Sequence, residues 1–158
     1  MLRWLWLSGV VILLDQFTKL LAERFLTMHQ PVPVIPGFFD LLLAYNEGAA
    51  FSFLADAGGW QRWFFTVLAI GVSVFLILWL KRLQATERLT AIALALILGG
   101  AIGNLIDRLL HGHVIDFISW YYGDYRWPAF NIADSAITLG ATLLIVHAIF
   151  FDHRKPEP

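Results

Sequence analysis

Two aspartates stand where an acid is hard to explain as ordinary surface. Asp116 is set in Val114-Ile115-Asp116-Phe117-Ile118, with apolar side chains on both flanks. Asp134 follows Asn131-Ile132-Ala133 and opens a long apolar run. The chain has no cysteine, which excludes thiolate catalysis, thiolate metal sites and disulfides together. No serine sits in a motif with a base. His111-Gly112-His113 is a two-histidine fragment, short of a metal-ligand set, so no metal or other cofactor is expected. The chemistry that remains is a carboxyl pair. Two carboxyls held close cannot both ionise, so one keeps a proton and polarises a carbonyl while the other takes a proton from water. Asp134 also has a plain helical reading: Asn131 suits an N-cap and Asp134 the first turn, at the positive end of the helix dipole. Spacing alone leaves both open.

Further polar residues interrupt apolar runs. Asp15 and Lys19 lie i, i+4 on one helix face and can neutralise each other as a brace inside a membrane. Asn104 and Arg108 also share a face, with Asp107 beside them. They form either a polar network at the edge of a site or an interfacial Arg–Asp pair whose long arm reaches water. Ala95, Gly99 and Gly103, at i, i+4 and i+8, make a small face that admits another helix closely.

The elements that must position these residues follow from composition. Of the 158 residues, 59% are hydrophobic and only 15% charged, against about 25% charged in an ordinary soluble domain. Mean hydropathy is +0.69. So small a body cannot hide this much apolar side chain from water, and the fitting solvent is a bilayer. A net charge of -1 offers no field to hold nucleic acid. Runs of about 20 apolar residues predict four spans, near 4–23, 62–81, 89–108 and 133–151, in a single membrane domain over 1–158. The first run begins like a secretory signal peptide, but no small-residue cleavage site follows, so a retained helix is expected. Arg3, Lys81, Arg82, Arg88, Arg154 and Lys155 outnumber Arg24, Arg62, Arg108 and Arg126 across the spans. That bias places both termini in the cytoplasm and the segments 24–61 and 109–132 outside.

Trp60, Trp63, Trp79, Trp120, Tyr121, Tyr122 and Trp127 are expected at span ends, as interfacial aromatics. In the outer segments, Pro31–Pro36 cannot be helix. Phe38–Tyr45 reads as a strand or an interface-lying element, and Phe38–Leu43 as a cover over the site. A hairpin is predicted about Asn46-Glu47-Gly48, with its second arm at Phe51–Leu54. Asp56–Gly59 reads as a further turn, and the tail Asp152–Pro158 is expected to fray.

Taken together, five stretches resemble the bacterial lipoprotein signal peptidase (signal peptidase II) family. They are Asp15-Gln16-Phe17-Thr18-Lys19, Asn46-Glu47-Gly48-Ala49-Ala50-Phe51-Ser52, Gly99-Gly100-Ala101-Ile102-Gly103-Asn104-Leu105-Ile106-Asp107-Arg108, Val114-Ile115-Asp116-Phe117 and Phe130-Asn131-Ile132-Ala133-Asp134-Ser135. The resemblance covers nearly the whole chain. It implies an α-helical integral membrane protein with four transmembrane helices, a small outer β-cradle and a short interfacial helix. It implies an aspartic endopeptidase of the inner membrane, with its site near the periplasmic face, that cleaves diacylglyceryl-modified prolipoproteins before the lipidated cysteine. Membrane lipids and globomycin-type inhibitors are the other partners it implies. Asp116 and Asp134 become the catalytic pair; Asn46, Gly48, Asn104, Arg108 and Asn131 hold substrate and support the pair; Asp15, Lys19 and Asp107 brace the core. Two other classes compete. In a small transporter or channel subunit the intramembrane charges form an ion path, although no internal repeat is visible. A non-catalytic scaffold leaves the two aspartates without a purpose.

Overall fold

Hydrocarbon about 30 Å thick offers no partners to backbone N–H and C=O groups, so a crossing segment satisfies them internally as a helix. The computed structural model describes residues 1–48 and 60–151. Within it four helices are long and apolar enough to cross a membrane: α1 (Leu5–Phe25), α2 (Trp60–Arg82), α3 (Arg88–Leu110) and α4 (Ile132–Phe151). A 3-10 turn, Leu2–Trp4, leads into α1. The four-span membrane class is therefore what the chain adopts.

The central helix is α3, which packs on each of the other three. Its small residues explain why. Ser8 Oγ of α1 donates to Ala95 O at 2.7 Å. A Cβ on Gly99 would stand 2.8 Å from that of Val11, and one on Gly103 2.6 Å from Asp15 Oδ2. Ala95, Gly99 and Gly103 thus form the seat of α1. Gly100 points elsewhere, against the Ala133 carbonyl and Ile137 of α4, so α3 is small on two sides. Gly100→Ala is expected to push α4 off α3 and to destabilise the protein by about 1–3 kcal/mol, as overpacking does. Thermal unfolding in detergent micelles checks this, and an unchanged midpoint would remove the close-packing account.

Where α1 and α3 finish and α4 begins, a four-stranded antiparallel sheet caps the bundle in the order β1 (Val32–Ile35), β2 (Phe39–Asn46), β3 (Val114–Tyr122) and β4 (Tyr125–Arg126). The β-branched and aromatic residues of β3 suit a strand. Ile115 and Phe117 pack with Leu43 on Ala22 of α1, so the sheet is held to the helices by an apolar joint. The β2–β3 register sets Ala44 opposite Asp116 and Asn46 opposite Val114.

Several expectations need correction. Phe38–Leu43 is split by register: Phe39 pairs with Trp120 and Leu41 with Ile118 at the far half of β3, Leu43 packs with Ile115 and Phe117, and Ala44 stands opposite Asp116. Trp120, Tyr121 and Tyr122 are sheet residues, not span ends, and Trp127 follows β4 directly. The hairpin observed turns at Pro36–Phe38, where Gly37 takes φ 85°. The second arm of the hairpin expected at Asn46–Gly48, Phe51–Leu54, lies outside the described residues, as do Asp56–Gly59 and the tail Asp152–Pro158. The short interfacial helix has no counterpart among the described residues, and 49–59 of the outer segment lie outside them.

Candidate active site

Asp116 arrives on β3 and Asp134 on the first turn of α4, and Asn131 joins them. Asn131 is wholly buried. Its Oδ1 accepts from the Asp134 N–H at 2.9 Å, while Asp134 Oδ2 accepts from the Asn131 N–H at 3.3 Å. This reciprocal pair is a capping box closing the start of α4. The amide Nδ2 of the same residue donates to Asp116 Oδ1 at 2.8 Å, to Asn104 Oδ1 at 3.2 Å and to Ile115 O at 3.3 Å. The two readings of Asp134 are therefore one arrangement: the helix cap itself carries the second acid to the first.

Each acid has further donors. Asn46 Nδ2 donates to Asp116 Oδ2 at 3.2 Å. Asn104 Nδ2 donates to Asp134 Oδ1 at 2.7 Å. Asp116 is 3% exposed. Burial pushes its carboxyl up from the ordinary value to about 7, and the negative charge of Asp134 pushes the same way. The amides of Asn46 and Asn131 and the Lys19 ammonium pull against this without cancelling it.

Beneath the acids lies a buried ionic knot. Lys19 Nζ contacts Asp15 Oδ2 at 2.7 Å, Asp107 Oδ2 at 2.8 Å and Asn104 Oδ1 at 3.0 Å. Each partner reaches on toward the site. Asp15 Oδ1 accepts from the N–H of Ala133 at 2.9 Å, and Asp107 Oδ2 from the N–H of Ile115 at 3.1 Å. Those are the residues immediately before Asp134 and Asp116. Asn104 touches Asp134 itself. Asp107 consequently serves Lys19, and an Asp107–Arg108 surface pair is not formed. Read alone, these intramembrane charges suggested an ion path; here they are spent on one another and on backbone anchors.

Arg108 reaches from α3 over the ring of Phe65, 5.4 Å from its centroid, and donates to Gly48 O at 3.2 Å. Among the described residues its buried Nε finds no acceptor. Gly48 N donates to Asn46 Oδ1 at 3.0 Å, so the Asn46–Gly48 turn ties Asn46 and Arg108 into one wall. His113 stacks on Tyr45 with ring centroids 4.0 Å apart, and among the described residues no three metal-ligating side chains cluster.

One contributor escaped sequence reasoning. Gln16 Nε2 donates to Asp107 Oδ1 at 2.8 Å and to Gly103 O at 3.2 Å. Its signal was present: an amide inside a span wants a partner, and Gln16 stands next to Asp15. The backbone N–H groups of Ile115 and Ala133 carry no sequence signal at all.

Residues 7–150 match the family description of signal peptidase (SPase) II. A protein named lipoprotein signal peptidase from Ectopseudomonas mendocina is 59% identical over 158 residues, spanning 99% of this chain and 93% of that one. Another of that name, from Xanthomonas euvesicatoria pv. vesicatoria, is 54% identical over 157 residues, spanning 99% and 91%. A solved bacterial membrane enzyme superposes with a TM-score of 0.87 at 30% identity, covering 99% of this chain and 93% of its own.

Proposed function

The chain belongs to the signal peptidase II family, and from that premise we propose that it is an aspartic endopeptidase in which Asp116 and Asp134 act on diacylglyceryl-modified prolipoproteins. It is a multi-pass peptidase of the bacterial inner membrane that removes signal peptides from prolipoproteins. The finer reading places both termini in the cytoplasm and the site near the periplasmic face, where a diacylglyceryl anchor holds the bond before the cysteine.

The observation that carries the mechanism is Asn131, which touches both acids at once. In this reading the pair shares one proton near neutral pH. Asp116 holds it, because burial makes its charge costly, and presents it to the scissile carbonyl. Asp134 carries the negative charge at the positive end of α4, steadied by Asn104, and takes a proton from the attacking water. The tetrahedral intermediate then collapses: the proton passes to the departing amine, the C–N bond breaks and the signal peptide leaves. Asn46, Gly48, Asn104, Arg108 and Asn131 hold substrate backbone or the acids, and globomycin-type inhibitors compete for the same wall.

The test is conversion of a prolipoprotein to mature size by the purified protein, followed across pH. The diacylglyceryl precursor is processed and the unacylated one is left intact. As pH rises through about 7, Asp116 loses its proton, the site holds two anions, and kcat/KM falls. Asn46→Leu removes a donor that favours the ionised form, so that limb moves to higher pH. Equal processing of the unacylated precursor would defeat the substrate reading, and a flat profile from about pH 6 to 9 the assigned proton.

A further inference from the structure

Where α2 begins and α3 ends, a cavity of about 300 Å³ is lined by Glu47, Arg62, Trp63, His111 and His113, among others. Arg62 lies over the end of α3: its Nη2 donates to Leu109 O at 3.0 Å, and a Cβ on Gly112 would stand 3.3 Å from its Nη1. Those contacts fix the guanidinium but leave its Nε, which is buried and has no acceptor among the described residues. His113 Nε2 is likewise buried and unpartnered among them, on a ring held by its stack against Tyr45. Buried donors without acceptors are uncommon and costly. Arg62 and Glu47 line the same cavity with opposite charges, yet among the described residues neither forms a salt bridge.

Trp63 belongs to a second hollow as well. With Phe64, Val67 and Leu68 it lines an apolar depression of about 450 Å³ on the surface of α2. The pairs Trp63–Val67 and Phe64–Leu68 are each spaced i, i+4, so the depression follows the helix axis. It therefore leads from the polar cavity, at the end of a membrane span, toward the middle of that span. A charged cavity above and an apolar trough below, joined at one indole, match the two halves of an amphiphile.

We propose that α2 carries a binding site for one phospholipid whose headgroup bears an ammonium beyond its phosphate: phosphate at Arg62 and His113, ammonium at Glu47, one acyl chain in the Trp63–Leu68 hollow. Phosphate oxygens supply the acceptors that Arg62 Nε and His113 Nε2 lack, through charge-assisted bonds. Glu47 disfavours a headgroup that is only anionic, and its distance from any salt-bridge partner leaves room for a cation between. The cavity is at the small end for ligand sites, which suits a headgroup without its chains. The apolar hollow selects a lipid over a free phosphate ester, which has no chain to place there. The Arg62 guanidinium stands 5.2 Å over the Trp63 ring, at the span end where indoles favour the membrane–water boundary. Glu47 directly follows Asn46, whose amide bonds Asp116, so a lipid seated here abuts the turn that walls the acid site.

Native mass spectrometry of the full chain tests this, with the protein released from detergent micelles that hold equal phosphatidylethanolamine and phosphatidylglycerol. The parent is expected to retain one phosphatidylethanolamine, several-fold over phosphatidylglycerol. Arg62→Gln is expected to lower that retention about 10-fold, the loss of one charge-assisted bond. Glu47→Gln is expected to bring the two lipids level. Val67 is 68% exposed, so Val67→Trp fills the hollow without disturbing the core, and it too is expected to lower retention. Equal retention of the two lipids by the parent would mean an unselective lipid coat and overturns the proposal. Parent-like retention in either Arg62→Gln or Val67→Trp overturns it as well. Displacement by free phosphoethanolamine at the same concentration would mean that the cavity takes a soluble headgroup, and overturns the lipid assignment.

Discussion

Asp116→Asn and Asp134→Asn are each expected to lower prolipoprotein processing by at least about 10³-fold, since each removes one half of the acid–base pair of the proposed mechanism. The replacement is nearly isosteric, so most of the surrounding bonds are kept. Asn at 134 has one oxygen for the two that Asp134 offers, which keeps the shorter bond from the Asn104 amide and gives up the 3.3 Å one from the Asn131 N–H, while the Asn131 Oδ1 still caps the N–H of residue 134 and α4 still starts at Ile132. Asn at 116 still accepts from Asn131 and gives up the 3.2 Å bond from Asn46. What is lost is proton traffic: a carboxamide neither takes a proton from water nor donates one from an acidic hydroxyl. The Asp116 variant has a second signature. In the folded protein its carboxyl titrates near 7, above the value of about 4 for an unfolded aspartate. The folded state therefore binds a proton that the unfolded state has released, and stability falls as pH rises from about 4 to 7. Asp116→Asn removes that loss, so the inactive variant is expected to be at least as stable as the parent at pH 8. A gel-shift assay and thermal unfolding at two pH values read both effects. Full processing by either variant would remove the catalytic pair.

Lys19→Met is expected to cost about 3–5 kcal/mol of stability, because it breaks a buried ionic cluster by removing one partner. The residue is 1% exposed and faces Asp15 and Asp107, both as deeply buried. Without its ammonium, two carboxylates face each other with no cation and only the Gln16 amide between them. The consequence travels to the site through two backbone bonds, since the same carboxylates hold the N–H groups of Ile115 and Ala133. Activity is thus expected to fall along with stability, although Lys19 touches neither acid. The double variant Asp15→Asn/Lys19→Met removes one of the stranded charges and is expected to recover part of the loss. A double variant no better than Lys19→Met alone would contradict the ionic-knot account.

Much of this protein was legible in its residues. The four helices are set by the length and apolarity of their runs, because hydrocarbon permits no other economy of backbone bonds. The Asp15–Lys19 pair follows from i, i+4 spacing, since a helix places those side chains together whatever surrounds it. The small face of α3 likewise announced close packing, though not that Gly100 serves a different neighbour from Gly99 and Gly103.

The rest depends on which distant segments meet. That Asn131 bridges Asp116 and Asp134, that Asp107 turns to Lys19 instead of Arg108, and that Ala44 rather than Leu41 lies opposite Asp116 are facts of strand register and helix docking. Local spacing cannot contain them, because a register slip of one residue preserves every pattern in the chain while turning each side chain to the other face.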